Sequence, residues 1–180
     1  MPIMLAEIPI LETERLYLRG FTAGDLDLLH RLYSNAEVMS FISVDGRPYT
    51  RERTEERLAA AIYRWTQHGI PMWAVFRKAD QEFVGRCGFQ IYEATKEIEL
   101  AYTLLPQAWG NGYATEASLA CLDHVFTVLN WDRVVSRTRP TNTRSLHVME
   151  KVGFQIEKVG EDIGGAAVFE FLTREMWKKQ

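Results

Sequence analysis

Alternation of apolar and polar residues predicts strands along much of the chain. Leu16 and Leu18 alternate with polar neighbours within residues 11–21, which indicates a first strand. Further strand-like runs lie at residues 72–76, 82–91, 97–105 and 133–138. Pro106 ends the fourth of these strands, because proline cannot donate to a strand ladder.

Two of these runs carry a period-two apolar face, which is typical of a strand with one side buried. In residues 82–91 the face is predicted to contain Phe83, Cys87, Phe89 and Ile91. In residues 97–105 it is predicted to contain Ile98, Leu100, Tyr102 and Leu104.

Caps and apolar stripes predict two helices in the first half of the chain. Residues 22–25 form a capping box that opens a helix with the buried stripe Leu28, Leu29 and Leu32. Residues 43–49 are predicted to be a loop. Thr50 caps a second helix that runs to His68 and is stopped by Gly69.

The second half combines helices with a closing hairpin. Residues 113–130 are predicted to form a helix that is buried on most sides, since only a narrow edge is polar. Asn142 caps a last helix through Val152, and residues 155–163 and 166–172 form a hairpin around Gly164. This order predicts an α/β (α+β) fold in one domain, residues 1–180, with a mixed sheet and helices on its faces.

Composition narrows the possible functions. The 180 residues carry a formal net charge of −3 and no basic run, so a nucleic-acid partner is not expected. No signal peptide and no apolar stretch of membrane-spanning length is present, which predicts a cytoplasmic protein without a membrane partner. Cys87 and Cys121 are predicted to be buried reduced thiols, and neither they nor the four scattered histidines have metal-binding spacing, so no metal is expected.

The segment 104–117 carries the strongest chemical signal. Gly110 and Gly112 lie between a strand and a helix, where glycines let backbone amides approach a ligand and the first helical amides are free. This predicts a cradle for a pyrophosphate, although a tight turn alone has the same pattern. A dinucleotide motif is excluded because Thr115 replaces its third glycine, and a Walker loop is excluded because no Lys-Ser/Thr follows.

The residues around this loop resemble one family in four places. Residues 107–114 are similar to the coenzyme A pyrophosphate loop, Gln/Arg-x-x-Gly-x-Gly/Ala, of GNAT acetyltransferases. Residues 13–19 resemble the opening strand of the branch that includes the ribosomal-protein N-terminal acetyltransferases. Residues 142–154 and 172–177 resemble its last helix and its C-terminal end.

The resemblance implies a fold and a cofactor, acetyl-CoA. The sheet would be mostly antiparallel with a V-shaped splay between the fourth and fifth strands, where the pantetheine arm would lie. The implied cofactor-binding residues are Thr103, Leu104, Leu105, Gln107, Trp109, Gly110, Asn111, Gly112, Tyr113, Ala114, Asn142 and Ser145. For Asn142 a plain helix N-cap is an alternative that is compatible with this role.

The resemblance also implies two catalytic residues. Glu99 matches the family's acidic residue on this strand and is the candidate base, with a solvated face shared with Glu97 as the alternative. Ser145 is the candidate donor to the leaving sulfur, with a serine bonded to its own helix backbone as the alternative. Many members use a tyrosine in this helix, but Met149 stands at that position here.

The implied activity is transfer of an acetyl group to a primary amine, either on a small molecule or on a protein N-terminus. Two alternatives stay open: a catalytically weak coenzyme A sensor, and an acyltransferase with a preference for longer acyl chains. Acceptor specificity is predicted to lie in residues 43–49, in the second helix and in the turn at Gly164-Gly165. The protein is expected to be a monomer or a homodimer.

Overall fold

The computed structural model describes residues 8–179, so residues 1–7 and 180 of the predicted domain lie outside the described residues. The strands are β1 (Leu11–Glu12), β2 (Leu16–Gly20), β3 (Met72–Arg77), β4 (Phe83–Ile91), β5 (Ile98–Leu104), β6 (Arg133–Thr138), β7 (Gln155–Asp162) and β8 (Gly165–Thr173). The helices are α1 (Leu26–Tyr33), α2 (Ala36–Ile42), α3 (Arg51–His68), α4 (Tyr113–Thr127), α5 (Thr143–Lys151) and α6 (Arg174–Trp177).

The strands form one sheet in the order β1-β2-β3-β4-β5-β6-β8-β7. Neighbouring strands are antiparallel except β5 and β6, which are parallel and meet at a single residue pair, Glu99 and Val135. In contrast, β4 and β5 pair along their length from Ile91–Ile98 to Gly85–Leu104. The sheet therefore opens between β5 and β6, which confirms the predicted splay.

The predicted first strand is broken into two pieces, β1 and β2. The strand that precedes the splay, which is the fourth in the sequence prediction, is therefore numbered fifth in the structure. Residues 13–15 leave the ladder in a turn that the Thr13 N–H closes on the Leu16 carbonyl at 3.0 Å. The alternation in the second piece is confirmed, because Leu16 and Leu18 are fully buried.

Hydrophobic clusters cover both faces of the sheet. On one face, α4 and α5 pack over a core that contains Leu100, Leu104 and Trp73. On the other face, α1, α2 and α3 pack over Met72, Ala74 and Phe76 of β3. The predicted apolar face of β5 is confirmed, and because alternate strand residues point to opposite faces, Glu99 points toward the helices of the second face.

The predicted face of β4 is wrong at its start. The register between β3 and β4 shifts at Val75/Phe76, so that Phe83 packs with Phe76 on the second face while Cys87 and Phe89 stay on the first. A bulge adds one residue to a strand and so reverses the side-chain alternation beyond it, which periodicity alone does not reveal.

Predicted helix starts agree with the structure better than predicted ends. Thr50 caps α3 by accepting from the Arg53 N–H, and Gly69 ends that helix at φ 65°. However, α4 ends at Thr127, and Val128 is 61% exposed rather than buried. The sequence analysis also missed α2, which is capped by the Asn35 side chain, and the short α6.

In residues 8–179, none of the helices is both long and apolar enough to cross a membrane.

Candidate active site

The glycine loop, residues 109–115, follows β5 and includes the first three residues of α4, and it has the backbone geometry of an anion cradle. Gly110 and Gly112 have φ values of 75° and 79°, which side-chain-bearing residues rarely adopt. The first hydrogen bond of α4 runs from the Glu116 N–H to the Gly112 carbonyl at 3.0 Å. The amides of Tyr113, Ala114 and Thr115 precede it and have no partner inside the helix, at its positive dipole end.

A charged anchor that sequence reasoning missed fixes this loop to the start of β2. Glu116 accepts hydrogen bonds from Thr13 Oγ1 at 2.6 Å and from Arg15 Nε at 2.7 Å. Arg15 also donates to the Asn111 carbonyl at 2.9 Å. Burial alone would raise the pKa of Glu116, but these donors outweigh it and the pKa is lowered. The only sign of this anchor in the sequence was that Glu116 is an acidic residue in the first turn of a predicted helix.

A cleft of about 1260 Å³ runs from the glycine loop through the gap between β5 and β6. Of the predicted cofactor-binding residues, those that line this cleft are Thr103, Leu104, Trp109, Gly110, Gly112, Tyr113, Ala114, Asn142 and Ser145. Thr103 Oγ1 is buried there without a hydrogen-bond partner. Free helical amides, an unpaired hydroxyl and an open strand edge fit the phosphates and the amide-bearing arm of coenzyme A.

Three predicted cofactor-binding residues lie outside the lining of the cleft. Leu105 is buried in the core on the α3 side of the sheet, where its side chain cannot reach the gap. Asn111 donates its side-chain amide to the Ala108 and Trp109 carbonyls, so that its side chain shapes the loop. Gln107 is solvent-exposed.

Glu99 is buried where β5 and β6 meet and the gap closes, with an exposed fraction of 4%. Its Oε1 accepts from Arg137 Nε at 2.9 Å, and its Oε2 accepts from Gln90 Nε2 at 2.8 Å and from Arg137 Nη2 at 3.2 Å. The alternative of a solvated face is therefore wrong for Glu99. These hydrogen bonds hold the carboxylate in one orientation against the Arg137 guanidinium.

Arg137 links Glu99 to the β7–β8 hairpin. Its guanidinium forms a second ion pair with Asp162 and lies over the Tyr92 ring at 3.9 Å from the centroid. The hairpin turn at Gly164-Gly165, which was predicted to contribute to specificity, lines the cleft next to this ion pair. Sequence reasoning missed Arg137, because an arginine near the end of a mixed strand gives no local signal and its carboxylate partners lie on other strands.

Ser145 is paired with a residue that was assigned only to the core. The Tyr102 hydroxyl donates to Ser145 Oγ at 2.9 Å, and both residues line the cleft. Burial raises the pKa of Tyr102 to about 12, so the hydroxyl keeps its proton at neutral pH. Asn142 Oδ1 accepts from the Ser145 N–H at 3.3 Å, which confirms the N-cap role of Asn142. Met149 is buried in the core and has no proton to donate.

Glu99 and Tyr102 lie on opposite faces of the sheet. They are three residues apart on β5, so their side chains point in opposite directions. Glu99 points toward α3 with Arg137 and Gln90, and Tyr102 points toward α5 and Ser145. A group placed in the gap would have a carboxylate on one side and two hydroxyls on the other.

An arginine wall lines the α3 side of the cleft. It consists of Arg57 and Arg64 of α3 and Arg86 of β4, supported by the rings of Tyr33 and Tyr49. The predicted specificity segments, α3 and residues 43–49, both contribute to this side. The side chain of Trp73 does not line the cleft. It is fully buried and donates its ring N–H to the Pro9 carbonyl at 2.8 Å.

The remaining predictions of candidate chemistry concern the cysteines and histidines. Cys87 and Cys121 are free and buried, as predicted. His124 is buried against Trp73, and His147 is exposed beside Glu150. Within residues 8–179, no cluster of His, Cys, Asp and Glu side chains has the arrangement of a metal site.

The comparisons with known proteins agree with this geometry. Residues 15–155 match the acetyltransferase (GNAT) domain family. An uncharacterized N-acetyltransferase of Bacillus licheniformis is 30% identical over 154 residues, which cover 84% of this chain and 85% of that protein. The chain therefore belongs to the GNAT acetyltransferase family, and it is a coenzyme A-dependent N-acyltransferase.

More distant relatives include proteins with named acceptors. Spermidine N(1)-acetyltransferase of Escherichia coli K12 is 25% identical over 149 residues, which cover 78% of this chain and 73% of that protein. The structure of a ribosomal L7/L12 α-N-protein acetyltransferase, RimL, in complex with coenzyme A has a TM-score of 0.79 at 20% identity and covers 92% of this chain and 98% of its own. At that identity the likeness to RimL supports the fold alone.

Proposed function

We propose that this protein transfers the acetyl group of acetyl-CoA directly to a primary amine, on a small molecule or on a protein N-terminus, in the cytoplasm. One observation carries the proposal. Beside the gap between β5 and β6, the buried Glu99 carboxylate lies on the α3 face of β5 and the Tyr102–Ser145 hydroxyl pair lies on its α5 face. Transfer from a thioester to an amine takes a proton from the amine and releases a thiolate, so a nearby proton acceptor and a nearby proton donor both favour it.

The glycine loop would hold the pyrophosphate. The amides of Tyr113, Ala114 and Thr115 present three donors at the start of α4, and the left-handed Gly110 and Gly112 keep side chains away from the approach. Thr103 and Asn142 would bind the arm that enters the gap. Acetyl-CoA would supply an activated acyl carbon, and no covalent enzyme intermediate is needed.

Glu99 would receive the acceptor amine. Its carboxylate, which Arg137 and Gln90 hold in place, would bind an incoming ammonium group and take a proton from it, directly or through water. Arg137 at the same time fixes the carboxylate in one orientation, which favours transfer along one direction.

Ser145 would protonate or hydrogen-bond the departing sulfur. Since Tyr102 donates to Ser145 Oγ, the serine hydroxyl is free to donate onward into the gap. This pair of hydroxyls would do the work of the tyrosine that other members carry at the position of Met149. The proposal also retains the resemblance to the ribosomal-protein N-terminal acetyltransferase branch, which the sequence motifs support.

A thermal-shift titration tests the cofactor. A ligand that binds only the native state at a hundredfold excess over its Kd stabilises it by about 2.7 kcal/mol. We expect acetyl-CoA to raise Tm while NADPH and ATP do not. Thiol release with a panel of amines then tests transfer. If Tm is unchanged with acetyl-CoA, or if no amine releases thiol from a bound cofactor, the proposed function is wrong.

A further inference from the structure

The arginine wall is a set of cations without carboxylate partners. Among residues 8–179, thirteen ion pairs are formed, and Arg57, Arg64 and Arg86 take part in none of them. The Nε atoms of Arg64 and Arg86 are buried and have no hydrogen-bond partner. Other arginines of this chain, such as Arg15 and Arg137, bond to carboxylates. Arg47, Arg53, Arg139 and Arg144 also form no ion pair with the described residues, but the two arginines with a buried, unpartnered Nε both belong to this wall.

The arginine side chains of the wall are positioned by contacts with aromatic rings and a thioether rather than by carboxylates. Arg57 Nη2 approaches the Tyr49 hydroxyl at 3.5 Å, and the Arg86 guanidinium lies over the Tyr33 ring at 5.6 Å from the centroid. Arg86 Nη1 meets only the weak acceptor Met72 Sδ, at 3.4 Å. Tyr33 and Tyr49 pack against each other. These contacts orient the guanidinium groups and leave their N–H donors available.

Helical spacing explains why the arginines converge. Arg57 and Arg64 are seven residues apart on α3, so they lie on one face of that helix. Arg86 points to the same side of the sheet as Gln90 and Glu99. The pKa of Arg64 is lowered, first by burial and then by the positive charges of Arg86 and Arg57, while Tyr33 and Glu93 oppose the shift to a smaller extent. Glu93 forms its own ion pair with Lys96.

Carboxylates at the cleft do not neutralise this wall. Glu99 and Asp162 are both bonded to Arg137. Glu37 and Asp45 are solvent-exposed, and the Asp45 side chain accepts from Ser43 and from the Arg47 N–H instead. Desolvating cations without a partner is costly, so a bound anion is the arrangement that makes such a wall favourable.

We infer that the acceptor is an amine that also carries an anionic group, a carboxylate or a phosphate, and that the arginine wall binds this anion. The inference rests on the proposed function, because it places the amine at Glu99. Guanidinium groups bind both kinds of oxyanion through paired N–H donors. A polyamine such as spermidine would meet like charges at the same wall and is a poor fit.

The geometry also sets the length of the acceptor. Arg86 lies four residues from Gln90, the partner of Glu99, which corresponds to about 13 Å along β4. Arginine side chains span part of that distance. The acceptor therefore has its anion several bonds away from its amine, as in an ω-amino acid, rather than on the adjacent carbon.

The test compares amines that differ in the anion. Thiol release is measured with 6-aminohexanoate against hexylamine, with phosphoethanolamine against ethanolamine, with glycine, and with spermidine. We expect kcat/KM for at least one anionic amine to exceed that of its neutral partner by tenfold or more, with glycine and spermidine poor. A preference confined to one pair identifies the anion as carboxylate or phosphate. Equal rates within both pairs, or a preference for spermidine, would overturn the inference.

Variants connect the preference to the wall. Arg64→Met and Arg86→Met are expected to remove the anion preference by raising KM for the anionic amine tenfold or more, with Tm no lower than in the native protein. Arg51→Met is the matched control, since Arg51 lies on the same helix but pairs with the exposed Asp27. If the two variants instead weaken acetyl-CoA binding, the arginines serve the cofactor and the inference is wrong.

A binding measurement separates this inference from the proposed function. Titration of glutarate into the protein saturated with coenzyme A, followed by calorimetry, requires no turnover. We expect binding that is lost in Arg64→Met but kept in Arg51→Met. No binding to the native protein, together with normal thiol release from neutral amines, would reject the anionic acceptor while the acetyltransferase activity stands. Failure of acetyl-CoA binding would reject the proposed function itself.

Discussion

The glycine loop and the arginine wall, as proposed ligand sites, differ in the groups that they present. The loop presents mainly backbone amides at the start of α4, and its geometry depends on two left-handed glycines. The wall presents side chains that come from α3 and β4, more than twenty residues apart in sequence. Backbone recognition suits a cofactor that every member of a family shares, whereas side chains can be exchanged without disturbing the fold. Activity and acceptor preference should therefore respond to different substitutions.

Gly112→Trp should have the largest effect. An added Cβ at Gly112 would lie 3.4 Å from Arg15 Nη2, and a tryptophan would fill the cradle. We expect Kd for acetyl-CoA to rise by at least about 100-fold, equivalent to about 2.7 kcal/mol of binding energy. Calorimetric titration measures it. Gly69→Trp is the control, since Gly69 also has a positive φ but faces open space at the end of α3. Equal affinity in the Gly112 variant would mean that the loop does not hold the cofactor.

Glu99→Gln should lower turnover while cofactor binding is preserved. Removal of a general base reduces rates by roughly 10²-fold or more, and the glutamine would still fill the buried site. Steady-state kinetics and acetyl-CoA titration measure the two effects. Glu97→Gln is the matched control. Glu97 lies two residues before Glu99, and its carboxylate is likewise bonded by an arginine of β6, Arg133, at 3.0 Å. A near-native rate in the Glu99 variant would place the base elsewhere.

Tyr102→Phe should give a smaller loss. The phenylalanine would remove the donor that orients Ser145 at 2.9 Å. Since a hydrogen bond of this kind contributes about 1 kcal/mol, we expect kcat to fall by roughly five- to tenfold. In a double variant with Ser145→Ala the two losses should not add, because both act through one hydroxyl pair. Tyr63→Phe, an exposed change on α3, provides the control, and additive losses would contradict the pairing.

Glu170→Gln should change how the stability of the protein depends on pH. Burial raises the pKa of Glu170 from 4.5 to about 7, although Thr138 and Ser136 partly oppose the shift. A raised carboxyl pKa contributes stability that is present below the unfolded value, near pH 4.5, and is lost as the pH rises toward about 7. The neutral glutamine avoids that loss.

Calorimetric Tm values at pH 5 and pH 8 test this prediction. The Glu170→Gln variant should have a Tm roughly 5 °C above the native protein at pH 8, corresponding to about 2 kcal/mol, with a smaller gain at pH 5. Glu161→Gln, at an exposed position of the neighbouring strand β7, should change little at either pH. A gain of equal size at both values would mean that the carboxyl group is not neutral in the fold.

Much of the fold and the cofactor loop was predictable because local rules decide them. Period-two alternation identified β5, a threonine cap and a left-handed glycine bounded α3, and the glycine spacing before α4 indicated an anion cradle. These features depend on residues close together in sequence. The errors arose where tertiary contacts override local pattern, as at the β-bulge that turns Phe83 to the other face.

The sequence by itself determined most of the strands and helices, the family to which the chain belongs, and the identity of Glu99 and Ser145 as candidates for proton transfer. Tertiary structure alone decided their partners: Arg137 at Glu99, Tyr102 at Ser145, and Arg64 beside Arg86 in one wall. These partners lie on elements distant in sequence, and side-chain pairing depends on strand register and helix placement. Both are set by the packing of the whole sheet and not by any single segment.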